Sequence, residues 1–201
     1  MDKSFGSFAP NWAQKKLLHV VRGSRLRRGA FRPAMSRLLD LLRSGPIDET
    51  YQGASFRFHH QYSGTERGAL LNPDYNLEEL QFLRKHTPVG GCFVDVGANV
   101  GTYALAMARH VGAEGVVLAI EPHPLAYERL AFNREASRSR NVHLMQAAAG
   151  DGEGDLLLAT DGRNLGAATW SAPARRGMRS RCARFSCGRL WRVQASGMSM
   201  R

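Results

Sequence analysis

The chain has 201 residues, with 28 Lys and Arg against 17 Asp and Glu for a net charge of +11, and its length supports one good hydrophobic core or, less readily, two small ones. No apolar run approaches the ~18 residues of a membrane span, and the opening residues lack the apolar stretch of a signal peptide, so the reading is a cytoplasmic globular protein. Residues 1–45 sum to +8, 171–201 to +8 and 46–170 to −5; nucleic-acid binding is disfavoured, because a groove that reads a polymer should be basic on the folded domain itself.

In chain order, Met35, Leu38, Leu39 and Leu42 recur at helical spacing and predict an inward face on a helix ending at Ser44-Gly45-Pro46. Upstream, Leu17, Leu18, Val20 and Val21 lie among Lys15, Lys16, Arg22, Arg25, Arg27 and Arg28. A solvated charged face packing on the domain is the expectation there, with a surface-lying amphipathic segment as the alternative. Thr50 to Tyr62 alternates aromatic and β-branched residues, predicting an antiparallel strand or hairpin with Phe56 and Phe58 on one face. His59 and His60 read as exposed rather than metal-binding, since neighbours on a strand point to opposite sides. Leu71 to Asp74 is a turn, and Asn76 should cap a helix with Leu77, Leu80 and Phe82 or Leu83 inward.

Phe93 to Leu105, FVDVGANVGTYAL, runs from an apolar strand through a glycine-punctuated turn into a helix that should end at Gly112. Asp95 is a carboxylate in a strand suited to burial, so it should face loop amides or a ligand. Gly97 admits close backbone approach, while the Gly97-x-x-x-Gly101 spacing, with Asn99 in the middle, is not the dinucleotide fingerprint. A second strand, GVVLAIEPHP, ends in Glu121, an acid placed to accept hydrogen bonds from a ribose diol. Pro124 starts another helix bearing Tyr127, Leu130, Ala131 and Arg134. Asn141 to Ala147 reads as a third strand and Leu156 to Leu158 as a further one. Cys92, Cys182 and Cys187 are too few for a disulfide scaffold and lack metal-ligand spacing.

Strand, D-x-G-A-N-x-G, helix, strand, acid and E-P-x-P together resemble a class I S-adenosylmethionine-dependent methyltransferase, most closely the FkbM family. The resemblance implies an α/β, Rossmann-like doubly wound sheet of the class I methyltransferase type with strand order 3-2-1-4-5-7-6, preceded here by a helical and β-hairpin extension. It implies S-adenosylmethionine as cofactor, bound by Asp95, Gly97, Ala98, Asn99, Gly101 and Glu121, with Gln146 or Ala147 near the adenine. His123 is a conceivable base, but its expected role is to start a helix. Asp151, in a Gly-Asp-Gly turn, does not supply the acid common after the third strand. The implied reaction is methylation of an oxygen on a small molecule or sugar.

Resemblance spans Tyr51 to Trp170. The K-I-D-V-E-G strand of the family is not found beyond it, and 171–201 has many arginines and no acid. The expectation is a frameshift near Trp170 that leaves the C-terminal half missing, with a native, disordered basic tail as the competing explanation. Methionine has a single codon, so Gly197-Met198-Ser199-Met200 in another frame can place Val between two positions open to Asp, compatible with that strand. The expected organisation is a basic helical segment over 1–45, a partial methyltransferase domain over 46–170 and a basic, disordered tail over 171–201. Strand 1 would then be an exposed edge, with marginal stability as the consequence. The chain could be an inactive relative. The alternatives are a non-catalytic nucleoside- or cofactor-binding module that meets a partner or anionic surface through its basic ends, and a nicotinamide-dependent dehydrogenase, which the glycine spacing supports poorly.

Overall fold

The computed structural model describes residues 3–150 together with strands at 154–160, 169–170 and 178–186. Helix α1 (Trp12–Arg22) opens on a reciprocal cap in which Asn11 Oδ1 accepts from the Gln14 N–H at 2.8 Å and Gln14 Oε1 accepts from the Asn11 N–H at 3.1 Å. Leu18 and Val21 are buried while Lys15, Lys16 and His19 face water, the charged-face arrangement. Helix α2 (Phe31–Leu42) differs from its predicted orientation: Leu39 is buried and Met35 packs on the core, but Leu38 and Leu42 are exposed. Polar anchors fix its rotation. Ser36 Oγ lies 2.7 Å from His60 Nδ1, and Gln14 Nε2 donates to the Leu39 and Arg43 carbonyls.

Strands β1 (Ile47–Tyr51) and β2 (Ala54–Phe58) form an antiparallel hairpin pairing Ile47 with Phe58 and Tyr51 with Ala54. Gln52 and Gly53 both take positive φ, which matches the twist of a two-residue hairpin turn. Phe56 and Phe58 share the predicted face, stacked at 5.3 Å and fully buried. By area, each such ring stabilises the fold by about 1.5–3 kcal/mol. Asp48 and Arg57 make a buried bidentate pair, with contacts of 2.8 and 2.9 Å. Arg57 also donates to the Lys3 and Ser4 carbonyls, and Asp48 accepts the Gly6 and Phe8 N–H groups, so the first described residues are clamped to the hairpin. Burial alone would raise the Asp48 carboxyl; Arg57 and those amides hold it below its ordinary value.

His59 and His60 are not exposed as expected. His60 is fully buried against Ser36, and His59 is largely covered, its N–H bonded to Glu66. Glu66 belongs to α3 (Gly64–Leu71) and is itself buried, paired with Arg129 at 2.7 Å. Helix α4 (Leu77–His86) follows. Asn76 precedes it at φ +56 and gives it no side-chain cap; Glu78 and Glu79 in the first turn complement the helix dipole instead. Leu80 is buried, whereas Phe82 is 62% exposed.

Three parallel strands carry the central motif: β3 (Cys92–Val96), β4 (Val116–Ile120) and β5 (Val142–Met145), in the order β3-β4-β5. Helices α5 (Thr102–Val111) and α6 (Pro124–Ala136) make the crossovers. Two right-handed crossovers stepping in one direction put both helices on one face. Phe93, Val117, Ala119, Val142 and Leu144 turn to that face and join the core. On the other, Val94 and Val96 are 43% and 55% exposed, and among the described residues β3 stands at the sheet edge, as the family resemblance implied. The architecture is a Rossmann-like α/β arrangement, with the 3-2-1 half of the expected order among the described residues.

A second sheet joins β6 (Ala147–Gly150), β7 (Gly154–Thr160), β8 (Thr169–Trp170) and β9 (Met178–Ser186) in the order β6-β9-β7-β8. The strand expected at Leu156 to Leu158 is β7, antiparallel to β8 and β9. Strand β9 lies inside the segment expected to be a disordered tail. Its residues show little alternation, and its place comes from pairing with β7 over the whole of that strand, from Gly154 opposite Arg184 to Thr160 opposite Met178. The remainder of 171–201, with Cys187, lies outside the described residues, as does Asp151.

Candidate cofactor site at the end of the first parallel strand

The backbone between β3 and α5 reverses tightly. Gly97, Asn99 and Gly101 take φ of +82, +50 and +94. A Cβ at Gly101 would stand 2.6 Å from Leu130 Cδ1, so this glycine serves both the left-handed turn and the contact between α5 and α6. Gly97 is different. Nothing lies within 4 Å of where its Cβ would be, which leaves the backbone open to close approach. The Gly97 and Ala98 N–H groups donate to the Ile120 carbonyl at 2.8 and 3.0 Å, fixing the turn to the end of β4. Asparagine tolerates the left-handed region better than most residues, and at position 99 it aims the backbone N–H at Glu121.

Glu121 is buried and held on both oxygens: Oε2 accepts from the Asn99 N–H at 2.7 Å and Oε1 from the His123 N–H at 2.8 Å. Burial raises its carboxyl, and the two amides pull it back. Each carboxylate oxygen retains a lone pair for a hydroxyl donor. Asp95 lies across the turn. Its carboxyl is pushed up to about 6, chiefly by burial and in smaller part by the Glu121 charge, with the Ala104 amide in the first turn of α5 opposing them. Asp95 Oδ2 and Asn99 Oδ1 are buried acceptors without a partner among the described residues, two positions where a ligand's N–H or O–H would be satisfied. A groove of about 490 Å³, bordered by Glu78, Glu79, Phe82, Phe93 and Tyr103, opens beside Asp95. Another depression, of about 430 Å³, lies at the far end of α5 near Gly112 and Asn141 and touches none of these residues.

The turn thus brings together Asp95, Gly97, Ala98, Asn99, Gly101 and Glu121. His123 starts α6: its Nδ1 accepts from the Leu125 N–H at 3.2 Å, and burial lowers its pKa. A ring nitrogen occupied in this way is not available to take a proton from a substrate. Gln146 is exposed and Ala147 buried at the start of β6. Sequence reasoning missed Asn133. Its Nδ2 donates to the Val100 carbonyl at 3.0 Å and its Oδ1 accepts from the Arg57 N–H at 2.9 Å, so one buried amide joins the turn to the hairpin. The signal was a polar residue at the buried 126, 130, 133 spacing of α6.

Residues 95–190 match the family model described as the methyltransferase FkbM domain, past Trp170, where the sequence motifs give out. No curated protein matches the chain. Among solved structures it is similar to a candidate transferase of Pyrococcus horikoshii, with 17% identity and a TM-score of 0.39, covering 51% of this chain and 36% of that one. It is also similar to TYW2 of the same organism in complex with MeSAdo, with 15% identity and a TM-score of 0.42, covering 62% of this chain and 51% of that one. The chain therefore spans about a third to a half of the solved chains it matches. The matched residues, 95–190, hold both the glycine turn and Glu121, so the likeness to the methyltransferase FkbM domain rests on the stretch that builds this site.

Proposed function

We propose that the chain binds S-adenosylmethionine at this turn and that its reaction is methyl transfer to an oxygen of a small molecule or sugar. The observation that carries the reading is the Glu121 carboxylate, fixed by two backbone amides with lone pairs left for a ribose diol. Open space at Gly97 and the unpartnered acceptors of Asp95 and Asn99 fit the amino-acid end of the same cofactor. The N-terminus of α5 would favour its carboxylate by roughly 0.3–1 kcal/mol. S-adenosylmethionine, when bound, supplies a methyl group already activated on a sulfonium. The protein's part is then to orient: Glu121 holds the ribose, Gly97 lets the backbone approach, and Gly101 keeps α5 and α6 in register behind the turn. The choice of an oxygen acceptor rests on the family resemblance.

The edge position of β3 favours a second reading, cofactor binding without turnover, because the acceptor side of the fold lies beyond that edge. Calorimetric titration with S-adenosylhomocysteine, repeated with NAD and with a Glu121→Ala variant, tests the proposal. The expected result is binding of S-adenosylhomocysteine in preference to NAD, weakened at least about tenfold in the variant, the loss of one charged hydrogen-bonding group. No binding by a protein with a normal circular dichroism spectrum would overturn it. Methyl transfer from labelled cofactor to candidate acceptors then separates catalyst from binding module.

A further inference from the structure

Helix α2 has a second face that the core does not use. Phe31, Leu38, Leu41 and Leu42 are all exposed, Leu41 to 83% and Phe31 to 53%, and Ala34 lies among them. At 100° per residue these five positions fall within about 100° of the helix surface, while Ser36 and Leu39 occupy the buried side. Arg37 borders the stripe, and Arg28 precedes Phe31 by one turn; neither enters an ion pair with a described residue. Residues 1–45 hold ten basic and two acidic groups.

From this apolar stripe in a basic surround we infer that α2 is a docking surface for an anionic lipid membrane, lying in the headgroup plane with Phe31, Leu38, Leu41 and Leu42 toward the acyl chains. Charge complementarity selects the occupant. A second copy meeting the same face would set +8 segments and the two Arg37 side chains against each other, whereas anionic headgroups neutralise them. Nucleic acid would satisfy the arginines but gives exposed leucines nothing to enter. With 12 residues, α2 is too short to span a bilayer, which needs roughly 20, and suits an interfacial position.

Sedimentation of the full chain with phosphatidylglycerol-phosphatidylcholine vesicles, against phosphatidylcholine alone, tests the inference. Binding is expected to the anionic vesicles only and to weaken with added salt. It should fall on the order of tenfold in Leu41→Ser and about fivefold in Arg37→Gln, with no change in Val89→Ser, an exposed apolar residue elsewhere. Both altered residues of α2 are exposed, and an unchanged melting temperature verifies folding. No binding to anionic vesicles at low salt, equal binding to both compositions, or equal losses in all three variants would overturn it. So would a concentration-dependent dimer abolished by Leu41→Ser, or a preference for RNA over the vesicles that Leu41→Ser leaves unchanged. Cofactor binding at Glu121 is independent of every arm.

Discussion

Asp95 is held at a thermodynamic disadvantage. Its ordinary pKa of 3.8 is raised to about 6, chiefly by burial. For an acid raised on folding, the folded state binds the proton more tightly, so the stability this linkage contributes is present at low pH and lost as pH climbs from 3.8 through 6. Above that window the ionised group costs about 3 kcal/mol by order of magnitude, and about half as much near pH 5. Asp95→Asn is therefore expected to stabilise the protein most at about pH 7.5, with a smaller gain near pH 5. Urea unfolding at the two values measures this, and a gain larger at the lower pH would refute the account. If the unpartnered Oδ2 receives a ligand's ammonium group, the same substitution weakens cofactor binding while it strengthens the fold. That this residue opposes stability was legible in the sequence as a charge out of place in an apolar strand. Asn133 was not, because a buried amide announces nothing until the chain segments it joins are known.

At the scale of elements, β3 shows what pattern alone can and cannot deliver. The Val116 N–H bonds the Gly91 carbonyl and the Gly97 N–H bonds the Ile120 carbonyl, so odd-numbered residues from 91 to 97 face β4. In a parallel ladder the alternate groups, those of Val94 and Val96, then point to the open edge. Hydrogen exchange should be faster at Val94 and Val96 than at Phe93 and Asp95, by on the order of a hundredfold. Equal protection along the strand would mean that something covers the edge. The glycine turn, the two crossover helices and the hairpin could be read from spacing and turn chemistry, whereas the exposed edge was implied by the family resemblance and its strand order. The rotation of α2 could not. Its apolar arc is wide enough to satisfy several orientations, and the choice falls to Ser36 bonding His60 and to Gln14 reaching across from α1. Strand β9 was equally hidden, since its pairing is decided by β7 rather than by its own sequence.

For the molecule as a whole, acid stability is set by competing titrations. His59 and His60 have pKa values lowered from 6.5 to about 4, for both chiefly by burial, with neighbouring arginines adding to the effect at His59. Protonation then favours the unfolded chain, and stability is lost as pH falls from 6.5 toward 4. Each histidine contributes about 3 kcal/mol to that loss by order of magnitude and His123, lowered by burial, adds to it, while the raised carboxyls of Asp95, Glu66 and Glu121 act in the opposite sense. The melting temperature should fall between about pH 7 and 4.5, and less steeply in a His60→Gln variant. A calorimetric series with a flat or rising profile would contradict the assignment.

The amide of Asn133 has a consequence for descent. The family match opens at Asp95, inside β3, yet Asn133 hangs the Val100 carbonyl and the Arg57 N–H on a single side chain, and Arg57 in turn grips Asp48 and the first described residues. A recombination breakpoint near residue 91 would deliver every glycine of the turn to a new host and leave behind the strand that steadies it. The hairpin and the turn are therefore one mechanical unit, which begins well ahead of the stretch that the family model matches.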